Sequence, residues 1–431
     1  MNLHRETGDA ACPRVMIVAN YTADSRTSNN RFNDLASRLA ARGARVELVT
    51  SRFSHFQKAA RTDDLGETGY AITRLDEPGY SRNISPARLR SQARFGREVA
   101  RYLDSLDAPP DLIVAAAPPP GVAAACVRYA GRAGVPCALD IQDLWPEAFG
   151  MVMDHPHLID IVFHGMRRDS RVAYRTADLV FGVSCTYTDS AVRHGADPAA
   201  TRVVYLGTDL TAFDVHAGSS EPPAFAASGR PVVGPVIGYA GGLSDSYDIP
   251  VVIDALAILA RADTLPEIPT LVVMGDGARR SGFEEHARDR GVDVRFTGNL
   301  AYPEMVRTLA ACEIAVNPIV AGSAGSVLNK AGDYAAAGLP VVNSQESAEY
   351  RGLLERYRAG ISGDAGDPRQ MAAAIRRLVM DPELRRSMAR GSRRMGEELF
   401  DRSVTYESMI DELVGLIGRA PGRHAAGRAA G

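Results

Sequence analysis

The chain has 431 residues, 45% hydrophobic and 23% charged, which reads as a soluble globular protein with room for two domains. Its formal net charge of −3 gives no field that would draw nucleic acid. No apolar run reaches the roughly 18 residues a spanning helix needs, and residues 1–13 lack the apolar core of a signal peptide.

Short apolar runs alternate with helical periods along the chain. RVMIVA (14–19) precedes a helical stretch over 30–42 and a second strand over 44–50. A basic amphipathic helix follows over 86–106, then strands at 111–117, 137–141, 177–184 and 201–207. Residues 211–231 carry no periodicity and are rich in Pro, Gly, Ser and Ala, so they read as a linker. The alternation then restarts, with strands at 235–240, 270–275, 292–298, 313–318 and 340–344. Helical periods fall at 248–261, 303–311, 331–337 and 367–379, and the final ones at 382–398 and 402–418. Such alternation predicts the α/β class, with two Rossmann-like doubly wound domains over 14–210 and 232–400. Residues 1–13 are expected to form an extension, helix 401–418 to cross back to the first domain, and 419–431 to form a disordered tail. In each sheet the carboxyl ends of the strands should face a central cleft, where ligands bind.

The five cysteines (Cys12, Cys126, Cys137, Cys185, Cys312) are scattered and contain no C-x-x-C pair, which argues for a reducing cytoplasm and against a zinc or disulfide framework. Among 49 lysines and arginines only Lys58 and Lys330 are lysine, so each stands out. Lys330 lies in GSVLNKAGDYAAAGLPVVNS (325–344), which reads as loop, short helix, glycine turn and buried strand. A helix starting near Asn329 presents backbone N–H groups to an anion, and Lys330 sits in its first turn. Asp333 is placed to accept hydrogen bonds from sugar hydroxyls. The alternative is a surface helix with a solvated Lys–Asp pair. Glycine turns close three strands at the same rim: Gly241 and Gly242 with Ser244, then Gly275 with Asp276, then Asn299 with Leu300. Each is equally readable as ordinary loop punctuation. No Asp-x-Asp occurs, so no metal is expected to bridge a diphosphate.

In the first half, IQDLWPEAF (141–149) follows a strand and holds the only tryptophan. By itself it reads as a capped and buried turn around Trp145. The polar loop NYTADSRTSNNRF (20–32) would turn Asn20, Asn29, Asn30 and Arg31 into the cleft, with Arg31 suited to a phosphate or to a solvated helix end. In the basic helix, Arg90, Arg94, Arg97 and Arg101 form one stripe beside apolar positions. That face suits an anionic membrane surface or, equally, a helix packed on the sheet with its arginines in solvent.

GDYAAAGLPVVNS (332–344) is similar to the E-Y-x-A-A-G-x-P-V-V signature of GT-B glycosyltransferases of the group 1, family 4 type, and the likeness runs over nearly all of 14–418. IQDLWPE resembles D-I-Q-D-L-W-P-E of bacterial capsule and O-antigen transferases. The resemblance implies ribose binding by Asp333 and diphosphate binding by Lys330. Backbone amides of Gly325, Ser326 and Val327 would meet sugar or phosphate, and the rims at 275–277 and 297–300 the nucleoside. Gln142 and Asp143 would line the sugar pocket, with Asp143 the candidate base. It departs from the family at Gly325, where a second Glu is usual, and at 238–248, which lacks the usual Arg and Lys clamp. Gln142 replaces a common His. The resemblance implies a retaining, metal-independent transfer without a cofactor, from a nucleotide-sugar (UDP-linked) to a polyprenyl-diphosphate-linked saccharide. It also implies a cytoplasmic enzyme, peripheral on the inner face of the plasma membrane. Rival readings are a UDP-sugar 2-epimerase and a non-catalytic nucleotide-sugar-binding partner.

Overall fold

In β1 (Arg14–Val18), Val15 and Ile17 point to one face of a sheet and Met16 and Val18 to the other, and all four are buried. A strand apolar on both faces needs helices on both, which is why the chain alternates. The computed structural model describes every residue except 1–11, 23–29, 56, 62–65, 84, 148–162, 229–231, 233, 264, 324–325 and 418–431. It divides into two units, one running to Tyr205 and resuming at Tyr406, the other Leu206–Thr405.

The first unit holds β1, α1 (Arg31–Ala41), β2 (Arg45–Ser51), β3 (Phe53–Ser54), β4 (Ala59–Ala60), β5 (Ala71–Leu75), α2 (Pro86–Asp104), β6 (Leu112–Ala117) and α3 (Pro120–Ala133). It continues with β7 (Cys137–Ile141), α4 (His164–Thr176), β8 (Leu179–Gly182), α5 (Cys185–Arg193) and β9 (Thr201–Val203). Its parallel sheet has the order β5-β2-β1-β6-β7-β8-β9, with β3 and β4 a separate antiparallel hairpin. Phe32, Leu35 and Leu39 of α1 cover one face, together with Tyr406, Met409, Ile410 and Leu413 from the chain's end. Those last four recur at helical spacing and place an apolar stripe on the sheet. Phe95, Val99 and Leu103 of α2, with Val122, Cys126 and Val127 of α3, cover the other face.

The second unit begins with α6 (Leu210–Ala217), β10 (Val236–Ala240), α7 (Ile249–Ala262), β11 (Thr270–Met274), α8 (Arg280–Arg290), β12 (Val294–Gly298) and α9 (Tyr302–Ala310). Then come β13 (Ile314–Asn317), α10 (Lys330–Ala336), β14 (Val341–Asn343), α11 (Ala348–Tyr357), β15 (Gly360–Ser362), α12 (Pro368–Met380) and α13 (Pro382–Met395), while α14 (Arg402–Val414) starts in this unit and belongs to the first from Tyr406 on. The parallel order is β12-β11-β10-β13-β14-β15. Chain direction across the sheet reverses between β10 and β13, the place where a doubly wound sheet opens a crevice at its carboxyl edge.

Two readings of the sequence are corrected. The segment 211–231 is not simply linker: α6 occupies its start, capped by the Asp209 side chain on the Ala212 N–H and anchored by buried Leu210 and Phe213. The apolar residues of the basic helix offer no free face, since Phe95, Val99 and Leu103 are core residues of the first unit. Strands β3, β4, β5 and β15 went unread because they are short or lie at sheet edges, where one-sided burial leaves no apolar run.

Candidate functional site

The carboxyl edge of the second unit gathers the loops after β10, β11, β12 and β13. Gly241, after β10, donates its N–H to the Met274 carbonyl at 2.9 Å, and Leu243 donates to the Asp276 carbonyl at 3.0 Å. This backbone zipper leaves no room for side chains. A Cβ on Gly275 would stand 1.9 Å from the Gly241 carbonyl oxygen, and Gly275 has a φ of +150°. Gly275→Ala is therefore expected to part the two loops, since neither backbone can yield as a flexible side chain would. Overpacking and strain of this kind cost about 1–3 kcal/mol each, so the melting temperature should fall. Gly282→Ala, where a Cβ meets nothing within 4 Å, is the control and should not lower it. Equal behaviour of the two variants in a thermal melt would refute the zipper.

Lys330 opens α10 and is buried against this zipper. Its Nζ lies 4.1 Å from the ring centre of Tyr239 and 4.2 Å from that of Tyr247, and among the described residues no hydrogen-bond acceptor reaches it. A Cβ on Gly241 would meet the same amine at 3.0 Å, so the glycine is where backbone and cation come closest. Burial pushes the Lys330 pKa down to about 7. Two aromatic faces stabilise an ammonium but do not satisfy its three donors. The helix end itself supplies less than expected. The Ala331 and Gly332 N–H groups already bond to Leu328 and Asn329 carbonyls, and Asn329 has no side-chain cap contact.

Asp333 does not stand open as a surface carboxylate. Tyr302 donates its hydroxyl to Asp333 at 3.2 Å, and the Thr208 hydroxyl lies 2.6 Å from that of Tyr302. Burial raises the Asp333 pKa to about 6, against the hydrogen bonds of Thr208 and Tyr302 that lower it. Tyr334 has a different task. Its hydroxyl accepts from the Ala240 N–H at 3.0 Å and donates to the Val316 carbonyl at 3.1 Å, pinning the ends of β10 and β13 at the crevice. Asn317, Asn343 and Gln345 form a buried amide network beneath the following loop, and Gln345 donates to the Ser326 carbonyl at 2.8 Å. Ser326 in turn donates to Glu349 at 3.0 Å.

Other rim residues fall as follows. Gly242 accepts from the Tyr239 hydroxyl at 2.7 Å, while Ser244 is exposed. Asp276 caps the Gly277 N–H at 2.8 Å and pairs with Arg280 at 3.2 Å. Asn299 and Asn329 are exposed, Val327 and Leu300 half-buried, and Gly325 lies outside the described residues. Reading 238–248 alone missed a cation at this edge. Arg279, from the loop after β11, pairs with Asp245 at 3.4 Å and bonds through its N–H to Leu243.

In the first unit the structure corrects several residues expected to face a cleft. Arg31 is buried: its guanidinium holds Asp140 through two contacts of 2.7 and 3.1 Å and the Val204 and Tyr205 carbonyls at 2.8 and 3.1 Å. Every direction of its planar fork is used, so no phosphate can take it. Asn30 caps α1 by accepting from the Phe32 N–H at 3.0 Å. Asn20 is buried and donates to Glu77 at 3.2 Å. Asn29 lies outside the described residues. Asp143 accepts from the Leu144 N–H and from the Trp145 indole, both at 2.9 Å, so it ties the turn around Trp145; burial raises its pKa. Gln142 is half-buried and its Nε2 has no hydrogen-bond partner among the described residues.

On α2, Arg90, Arg94, Arg97 and Arg101 are all exposed. Glu98 pairs with both Arg94 at 2.6 Å and Arg101 at 2.8 Å, which offsets one of the stripe's four charges. Among the described residues no helix is long and apolar enough to cross a membrane.

Comparison with known proteins agrees with this geometry. A family model described as "Glycosyl transferases group 1" matches residues 234–381, and one described as "Glycosyl transferase 4-like domain" matches 27–207. A D-inositol 3-phosphate glycosyltransferase of Salinispora arenicola is 32% identical over 253 residues, 55% of each chain. A glycogen synthase of Mycobacterium tuberculosis is 32% identical over 181 residues, 41% of each chain. The chain thus spans about half the length of the curated relatives it matches. Among solved structures, Anabaena HepE in complex with UDP aligns with a TM-score of 0.67 at 17% identity, covering 94% of this chain and 100% of that one. Sucrose-phosphate synthase from Thermosynechococcus elongatus aligns with a TM-score of 0.70 at 17% identity, covering 94% and 99%. These likenesses show the GT-B fold, and with matches to both halves the chain belongs to the group 1 glycosyltransferases.

Proposed function

We propose that the chain transfers a sugar, with retention at the anomeric carbon and without a metal, from a UDP-sugar to a lipid-linked saccharide in assembly of a bacterial surface polysaccharide. The observation that carries the donor half is the buried Lys330 ammonium, unpartnered beside Gly241 at the sheet's reversal point. A diphosphate placed there supplies the acceptors the amine lacks, and the amine offsets the charge that builds on the leaving nucleotide. Arg279 at the same edge adds a second cation where the clamp of the 238–248 loop is missing. Asp333 then receives the ribose hydroxyls, exchanging Tyr302 for the ligand or sharing it. HepE binds UDP in its crystal structure, which favours uridine over guanosine. The acceptor rests on the resemblance of residues 140–147 to capsule transferases; the names of the relatives point to varied acceptors, an inositol phosphate in one and glycogen in another.

The test is incubation with UDP-glucose, UDP-galactose or GDP-mannose and a polyprenyl-diphosphate-linked saccharide, with mass spectrometry of the lipid. An acceptor heavier by one hexose supports the reading. Epimerised donor without acceptor, or binding without turnover, refutes it.

Donor binding should have a defined pH dependence. A diphosphate needs Lys330 protonated, and that proton is held only up to about 7 in the bare protein, so affinity falls as pH rises through that value. Ribose hydroxyls need Asp333 ionised, so affinity also falls as pH drops through about 6. Calorimetric titration with UDP should show a maximum between these limits; a profile flat across both refutes the assignment.

Membrane association, if it serves the lipid-linked acceptor, rests on charge alone, because the apolar side of α2 is consumed by the core. Reversing Arg90, Arg94 and Arg97 to Glu should release the protein from anionic vesicles in flotation, at about 1 kcal/mol per residue at low salt. Unchanged flotation would leave α2 a purely structural helix.

A further inference from the structure

The second lysine of the chain also has an unusual setting. Lys58 lies between β3 and β4 with a φ of +56°, a left-handed conformation that favours glycine. Its Nζ donates to the Asn83 side-chain oxygen at 2.5 Å, contacts His55 Nδ1 at 3.2 Å, and lies 4.9 Å from the ring centre of Tyr80. Arg88, in the first turn of α2, converges on the same place. It donates to the Asn83 carbonyl at 2.7 Å and to the Tyr21 hydroxyl at 3.0 Å, and its guanidinium lies over the rings of Tyr80 at 5.5 Å and Trp145 at 4.5 Å. These groups come from the loops after β1, β2, β5 and β7, all at the carboxyl edge of the first sheet.

Two cations gather on one ring and one asparagine, and among the described residues no carboxylate bonds to either of them. Arg88 Nε is buried without a partner among the described residues. The nearby acids are committed elsewhere: Glu77 to Ser91 and Asn20, and Asp143, which feels the Arg88 charge, to the Leu144 N–H and the Trp145 indole. The cationic charge is felt by its neighbours: His55 is pushed down to about 4, by burial first and then by Lys58 and Arg88. The Lys58 pKa is itself lowered, by burial and then by Arg88, with no opposing carboxylate.

We propose that Lys58 and Arg88 form a binding site for a phosphoryl group carried by the acceptor, held against Tyr80 and Trp145. A dianionic phosphate takes both cations at once, the guanidinium in two parallel bonds and the ammonium as a point charge. The assignment rests on the reading that the first unit takes the acceptor, and it is separate from the donor diphosphate at Lys330. It gives the acceptor a charged handle and makes an unphosphorylated sugar a poor substitute.

Trp145 is the only tryptophan in the chain, so its fluorescence reports this site and not the second unit. With UDP present at saturation, the protein is titrated with glucose 1-phosphate and, separately, with neutral-lipid vesicles carrying polyprenyl phosphate. At least one probe should change Trp145 emission saturably, while glucose leaves it unchanged, and the responding probe shows whether the phosphoryl group is soluble or lipid-borne. Lys58→Met and Arg88→Gln should raise the apparent Kd at least tenfold, roughly the loss of one charge-assisted contact. Lys58→Arg should keep most of the affinity, which separates lost charge from lost folding. No response to either phosphate, or a Lys58→Met titration matching the parent, overturns the proposal. Failure of UDP to bind, measured by calorimetry on the same sample, would instead overturn the donor reading and leave the Trp145 titration interpretable.

Discussion

Lys330→Met is expected to make the nucleotide-free protein more stable and to weaken its stabilisation by UDP. The native amine is buried beside two aromatic rings with no acceptor, and a group in that state costs about 1–3 kcal/mol. Methionine has similar length and flexibility, fills the same space and needs no partner. For a unit of this size, 1 kcal/mol moves the melting temperature by roughly 2–4 °C. The sign with pH follows from proton binding. The unfolded chain keeps the lysine proton up to its ordinary 10.5, whereas the folded protein releases it near 7. Between these values the unfolded state binds more protons, so stability from this group rises with pH across that window. Lys330→Met should remove that rise, so its advantage is largest at or below neutral pH and shrinks towards pH 10.5. A variant less stable than the parent at pH 7, or one still stabilised by UDP to the same extent, would contradict the description of Lys330 as a strained binding group.

The second large effect concerns Arg31 and Asp140. Removing one partner of a fully buried, bidentate pair leaves an unpaired charge, which costs about 3–5 kcal/mol. Native stabilities are only about 5–15 kcal/mol, so Arg31→Leu or Asp140→Leu should unfold the first unit at markedly lower denaturant or yield insoluble protein. Arg31 also carries the Val204 and Tyr205 carbonyls and lies 4.9 Å from the ring centre of Tyr406, so its loss loosens the attachment of the terminal helix. Asp140→Leu combined with Arg31→Leu should be less damaging than the sum of the two single changes, because no charge is left alone. Denaturation curves of the three variants, followed at Trp145, decide this. Additive losses would mean that the pair is not coupled.

These two residues also show what could and could not be read in advance. The strands β1, β6, β7, β10, β11 and β13 are apolar on both faces, and such runs have few other uses, so the doubly wound plan was legible. Lys330 was legible because lysine is scarce in this chain and the position follows a strand and loop. Arg31 was misread since a polar loop leading into a helix looks the same whether its arginine meets solvent or a carboxylate 109 positions away. One signal was present: Asp140 interrupts the otherwise apolar strand CALDI, and a carboxylate in a strand buried on both faces demands a cation. The partnership of Asp333 with Tyr302 and Thr208 left no such trace. None of the three is out of place in its own segment, and only the folded chain brings them together. Arg279 escaped for a related reason, as it lies outside the loop in which a clamp was sought, yet backbone pairing of the two loops carries it there.

The central claim is that Lys330 is the group that holds the donor diphosphate. Calorimetric titration of UDP into the parent protein, Lys330→Ala and Lys58→Ala tests it most directly. Loss of a charge-assisted contact with phosphate is worth about 1.5–3 kcal/mol, so Lys330→Ala should weaken UDP binding by tenfold or more while Lys58→Ala leaves it unchanged. Equal weakening by the two substitutions, or none by Lys330→Ala, would contradict the account.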